Sequence, residues 1–283
     1  MLEYIKAILL GVVEGITEWL PISSTGHLIL FGELLTLSFG NCDAETSELL
    51  LSVFDVVIQL GAIFAVICTY WRELIPSTKS TRSLYLKLAI TTIPAGLCGI
   101  MADELCQKCF GKSLDALLFT PSVVAGALII YGFLFLFVER LMRGRDDKAS
   151  DIDEISFLQA FAIGCFQALA IIPGTSRSGA TVLGARILGI GKRAAARFSF
   201  FAAIPVISAA SALKIYELAD HIASTSEKLA PSAIPLCLIA SAVAFLVSMI
   251  SIKFLTEFIK KHSFAPFGIY RIALGILVLV FLK

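Results

Sequence analysis

Apolar residues occupy this chain in long blocks, and the few places where polar groups break the blocks follow a pattern. Residues 2–19 read as an apolar helix, followed by a second of only twelve residues, Gly26 to Leu37. That second helix is about 18 Å long at 1.5 Å per residue, too short for a hydrocarbon core of about 30 Å. Between the two, Pro21 removes a helix donor, and Ser23, Ser24 and Thr25 are residue types that cap a new helix. Two half-length helices joined at a polar break predict a re-entrant hairpin, which survives at membrane depth only inside protein or beside a wet cavity. A polar connection at 38–49 precedes spans at 53–71, at 85–102, kinked by Pro94, and at 118–138, where Pro121 falls in the tolerant first turn.

The pattern then recurs. Gly164 to Gly179 repeats the fifteen-residue spacing of Gly11 to Gly26, and Gln167 follows its glycine as Glu14 follows Gly11. Pro173 matches Pro21 to within one position, hydroxyls gather before a short helix at 179–190, and spans follow at 198–216, 233–256 and 265–282. A hairpin plus three spans, twice, gives an odd number of crossings per half and therefore opposite orientation of the halves. The expectation is an all-α polytopic membrane protein built as an inverted-topology repeat. It forms a single integral membrane domain over 1–283, with repeat one at about 1–141 and repeat two at about 156–283.

Composition agrees with the pattern. Of 283 residues, 58% are hydrophobic and 16% charged, with mean hydropathy +0.89, well beyond a soluble domain. A formal net charge of +1 gives no reason to expect nucleic acid as a partner. The apolar N-terminal stretch runs into the Glu14/Glu18 segment without a small-residue cleavage pattern, so no cleavable signal peptide is expected. Cys42, Cys68, Cys98, Cys106, Cys109, Cys165 and Cys237 are scattered; only Cys106 and Cys109 are close in sequence, and without a second pair or a nearby histidine they read as packing residues.

Basic residues orient the spans. Arg72, Lys79, Arg82 and Lys87, then Arg140, Arg143, Arg145 and Lys148, then Lys192, Arg193 and Arg197, and finally Lys260 and Lys261 all fall on one side. The opposite connections carry only Lys108, Lys112 and Lys228. The basic side is the cytoplasm, so both termini face outward and the two hairpin tips meet near the midplane.

The chemistry gathers at those tips. Glu14 and Glu18, four apart, lie on one helix face, where two anions repel unless a proton or cation intervenes; oxygen ligands favour magnesium or calcium. Ser24 is a candidate nucleophile and His27 a candidate acid or base, although each alone reads equally as a helix cap and a hydrogen-bonded helix residue. The second tip, Pro173 to Thr181, offers Gly174, Ser176, Arg177, Ser178 and Thr181: flexible backbone, hydroxyl donors, a guanidinium and a helix N-terminus, the ingredients of a phosphate cradle. Together with Glu18 they form a phosphoryl-transfer set. Asp55 and Gln59 share a face and read as supporting residues or as an interhelix hydrogen bond. Arg271 reads as snorkelling to the cytoplasmic surface, and His221 and His262 as loop residues without a role.

EGITEWLPISSTGH (Glu14–His27) with PGTSRSGAT (Pro173–Thr181) resembles the undecaprenyl-diphosphate phosphatases of the bacitracin-resistance type, and VVIQLGAI at 56–63, FSF at 198–200 and IYR at 269–271 extend the resemblance along nearly the whole chain. The resemblance implies a bacterial plasma-membrane enzyme that hydrolyses undecaprenyl diphosphate on the outer face, recycling the lipid carrier for peptidoglycan. It implies an acidic pair at Glu14 and Glu18, a serine and histidine at Ser24 and His27, and a phosphate-binding Arg177 flanked by Ser176 and Thr181. Where that family commonly has an acidic residue before FSF, this chain has Arg197. The competing reading, from the inverted repeat alone, is a secondary transporter or flippase for a phosphorylated lipid or other anion. A homo-oligomer is compatible with either reading.

Overall fold

The computed structural model describes the chain except residues 36, 41–42, 76–78, 146, 226–229 and 282–283, and the side chains of 32–34, 79 and 115. Cys42 and Lys228, the Lys79 side chain, and the final residue of the span expected at 265–282 lie outside the described residues. The described residues form helices and connections, with one isolated β-bridge between Ala149 and Ile190. In chain order the helices are α1 (Leu2–Thr17), α2 (Ser24–Leu34), α3 (Ala44–Thr69), α4 (Trp71–Leu74), α5 (Lys79–Phe110), α6 (Leu114–Leu118) and α7 (Pro121–Leu141). They continue with α8 (Phe157–Ala168), α9 (Arg177–Ile187), α10 (Lys192–Thr225), α11 (Ala233–Lys261) and α12 (Ala265–Phe281), with 3₁₀ turns at Ile152–Glu154 and Leu169–Ile171.

Among the described residues five helices, α3, α5, α7, α10 and α11, are long and apolar enough to cross a membrane. The expected sixth, α12, has 17 described residues and packs along α7. Several spans outrun the apolar blocks. The span expected at 85–102 is one helix from Lys79 to Phe110 with Pro94 inside it, and that expected at 198–216 runs from Lys192 to Thr225. Polar residues at both ends continue the helix beyond the apolar segment, a continuation that water at the membrane surface permits. His221 therefore lies on α10 rather than in a loop, and Lys87 lies on α5, where its ammonium is bonded to the carbonyls of Ile152 and Asp153.

The two halves pack reciprocally. The first hairpin arm of each half lies against the second long helix of the other, α1 on α11 and α8 on α5; α3 meets α10, and α7 meets α12. Glycines permit the first of these crossings at matching positions. A Cβ at Gly11 would stand 2.5 Å from the carbonyl oxygen of Ala240, and one at Gly164 the same distance from that of Thr91. Neither backbone could approach so closely past a side chain.

Candidate active site

Each hairpin tip turns on a serine in a conformation unusual for a non-glycine residue. Ser23 has φ 78° and Ser176 φ 70°, and each hydroxyl accepts a hydrogen bond from the backbone N–H three residues on, Gly26 at 3.2 Å and Gly179 at 3.1 Å. The short helices therefore begin earlier than the apolar pattern suggests. Ser23, not Ser24, is the cap, and Ser24 and Arg177 are the first residues of α2 and α9. First-turn N–H groups have no partner within a helix, so both tips present donors and a positive dipole end.

Glu18, just past the end of α1, joins the two tips. Its Oε2 accepts from the Ser24 hydroxyl at 2.8 Å and its Oε1 accepts from Arg177 Nη2 at 2.7 Å. The remaining Arg177 contacts fix the fork: Nη1 donates to the Ser199 carbonyl at 2.7 Å, and the guanidinium lies 5.9 Å from the Trp19 ring centroid. Its Nε is buried without a hydrogen-bond partner among the described residues. Trp19, edge-on to Phe200, is buried beside it. A cavity of about 100 Å³ lies at this junction, lined by Glu18, Ser24, Thr25, Gln59, Gly174, Ser176 and Arg177 among others. Thr25 and Gln59 also line a larger cavity of about 500 Å³ whose walls are mainly apolar and which contains Asp55. Gln59 thus reaches the candidate site directly.

The other sequence candidates take different positions. Ser178 and Thr181 are buried behind Arg177. The Ser178 hydroxyl donates to the Leu20 carbonyl at 3.3 Å, and Thr181 Oγ1 lies 2.6 Å from Ser199 Oγ. They hold the loop and do not line the small cavity. His27 is bonded elsewhere than to Ser24: Nδ1 is 2.7 Å from the Ser23 carbonyl, Nε2 is 2.7 Å from the Tyr270 hydroxyl, and the two rings stack. Gly174 at φ +90° could carry no Cβ, which would meet the Val124 carbonyl oxygen at 2.4 Å.

Arg271 corrects the sequence expectation outright. It is fully buried, not snorkelling. Nη1 donates to the Pro21 carbonyl at 3.2 Å, and Nη2 to the carbonyls of Gly174 and Thr175, both at 2.8 Å. Two irregular loops buried among the helices leave carbonyls in need of donors, and one guanidinium satisfies three of them. Ser199 and Tyr270, which the residue-by-residue reading left without roles, complete the shell. Both lie in the short FSF and IYR stretches. Arg197 points elsewhere, pairing with Glu73 and Asp151.

For a divalent ion the donor set is oxygen. Glu14 is fully buried with both carboxylate oxygens unpartnered, one helical turn before Glu18. Both Glu18 oxygens are already bonded, to Ser24 and Arg177, so an ion here would draw first on Glu14, share Glu18, and need phosphate oxygens and water to complete its shell.

A family description, bacitracin resistance protein BacA, matches residues 7–277. The chain belongs to this family. Among its relatives, undecaprenyl-diphosphatase of Enterococcus faecalis is 44% identical, covering 99% of this chain and 97% of the relative. Undecaprenyl-diphosphatase of Desulfitobacterium hafniense is 43% identical, over 99% and 96%, and undecaprenyl-diphosphatase 1 of Clostridioides difficile is 43% identical, over 99% and 97%.

Proposed function

We propose that this multi-pass membrane protein is an undecaprenyl-diphosphate phosphatase, cleaving the terminal phosphate and returning undecaprenyl phosphate to cell-wall synthesis. The observation that carries the reading is the double hydrogen bond of Glu18, which sets a serine hydroxyl beside an arginine fork at the start of two facing helices. A transport site needs the arginine but not the serine.

In the reaction, Ser24 Oγ attacks the terminal phosphorus as its proton passes to Glu18 Oε2. The bond from phosphorus to the bridging oxygen breaks, undecaprenyl phosphate leaves, and water then hydrolyses the phosphoserine. Arg177 and the first-turn N–H groups of α9 hold the non-bridging oxygens as charge develops. Glu14 and Glu18 would hold a magnesium or calcium ion, which when bound would offset the charge of the diphosphate. His27 orients the tip through Tyr270 and the Ser23 carbonyl.

The larger cavity supports an outward opening. It is lined by Leu35, Leu37, Phe119 and Lys214, toward the connections poor in basic residues, and its apolar wall suits a prenyl chain. Both termini then face outward. Purified protein should release inorganic phosphate from undecaprenyl diphosphate and Ser24→Ala should not; lipid translocation without phosphate release would establish the transporter instead.

A further inference from the structure

A large cavity lies away from the tips, on the side that carries most of the basic residues. About 1060 Å³ in volume, it is bounded by the end of α7, the end of α9, the start of α10 and the link from α11 to α12. Its lining holds five cations, Arg140, Arg143, Arg145, Arg186 and Lys192, and two carboxylates, Glu139 and Asp147.

Both carboxylates are already engaged by one cation. Buried Arg186 donates through Nε to Glu139 at 3.3 Å and through Nη1 to Asp147 at 3.2 Å, and Nη1 also reaches the Ile190 carbonyl at 2.7 Å. Lys192 donates to the His262 carbonyl at 2.9 Å. Arg140, Arg143 and Arg145 have no carboxylate partner among the described residues. All three are exposed, and they rim a cavity of ligand size in whose lining the buried Arg186 holds both carboxylates.

The adjoining surface indicates what kind of anion fits. Leu136, Arg140 and Arg143 recur on one face of α7 and its extension, facing the cavity, while Phe133, Phe137 and Leu141 form an exposed apolar stripe beside it. A ligand seated there would have charge on the arginines and hydrocarbon along the stripe. Arginine matches phosphate oxygens with its planar fork, and basic pockets between spans at the membrane surface hold anionic headgroups.

We infer that this cavity binds the phosphodiester headgroup of an anionic phospholipid, with its acyl chains along Phe133, Phe137 and Leu141. The leaflet is the cytoplasmic one, on the orientation proposed above; the site itself does not depend on that orientation.

The test uses full-length protein, delipidated in detergent and titrated with phosphatidylglycerol, cardiolipin or phosphatidylcholine, with bound lipid counted by native mass spectrometry. Wild type should retain the two anionic lipids over phosphatidylcholine. R140Q/R143Q/R145Q should bind them about fivefold more weakly for each arginine removed, while still hydrolysing substrate and so proving folded. If the triple variant does not purify, each single variant is read against the same per-residue expectation. Equal retention of zwitterionic lipid, or retention unchanged by the substitutions, would overturn the inference. Displacement of the lipid by millimolar inorganic phosphate would overturn the lipid assignment and make the cavity a free-phosphate site. None of these outcomes touches the phosphatase reading, which is judged by phosphate release alone.

Discussion

Arg177 and Glu18 belong to different repeats, 159 residues apart, and meet at 2.7 Å with 11% and 6% of their side chains exposed. The pair neutralises two charges that neither tip could bury alone. It also sets the Ser24 hydroxyl and the Arg177 fork on either side of one carboxylate.

Arg177→Lys should therefore lower kcat/KM about a hundredfold or more, because an ammonium cannot hold Glu18, the Ser199 carbonyl and a phosphate oxygen with the geometry of the fork. Thermal unfolding should shift little. Near wild-type turnover in the lysine variant would make Arg177 a structural cation.

Ser24→Ala should lower turnover by on the order of 10³-fold or more, since the first covalent step is lost. Rapid quench with substrate labelled in the terminal phosphate should trap acid-stable label on Ser24 in wild type. Acid-labile label on His27 would transfer the role to the histidine, against its present contacts with Tyr270 and the Ser23 carbonyl. No label on either residue would indicate direct attack by water.

Metal stripping should abolish hydrolysis, and magnesium or calcium should restore it. The same ion should raise the unfolding temperature, corresponding to about 2.7 kcal/mol of stabilisation at a hundredfold excess over Kd. Glu14→Gln should remove that rise. Full activity in chelator, with stripping verified by elemental analysis, would eliminate the cation from the reaction.

Arg271→Leu should destabilise the fold by about 3–5 kcal/mol, because three buried carbonyls lose their donor at once. Denaturant unfolding in detergent measures this directly. A loss below about 1 kcal/mol would mean that other groups satisfy the tips.

The hairpins and spans were legible because lipid enforces long apolar runs, and the repeat because Gly11, Glu14 and Gly26 each recur in position 153 residues later as Gly164, Gln167 and Gly179. Ser23 and Ser176 were harder to read, since a positive φ is rarely assigned to serine and only the tertiary turn imposes it. Arg271 misled for a reason of depth. Position along a helix shows how far a cation is from the surface, but not that irregular carbonyls from two other segments converge on it. Ser199 is a small residue inside an apolar run, and nothing in its neighbours reveals that its carbonyl positions Arg177.

The placement of Arg271 also sets an order on biosynthesis. Ser24, Glu18 and Arg177 all emerge from the ribosome before α12, yet the loops that carry them are tied together by a side chain on α12. A nascent chain lacking that helix holds these three residues without the clasp between the tips. On the function proposed above, the site is therefore complete only once translation has passed Arg271 and α12 has packed on α7.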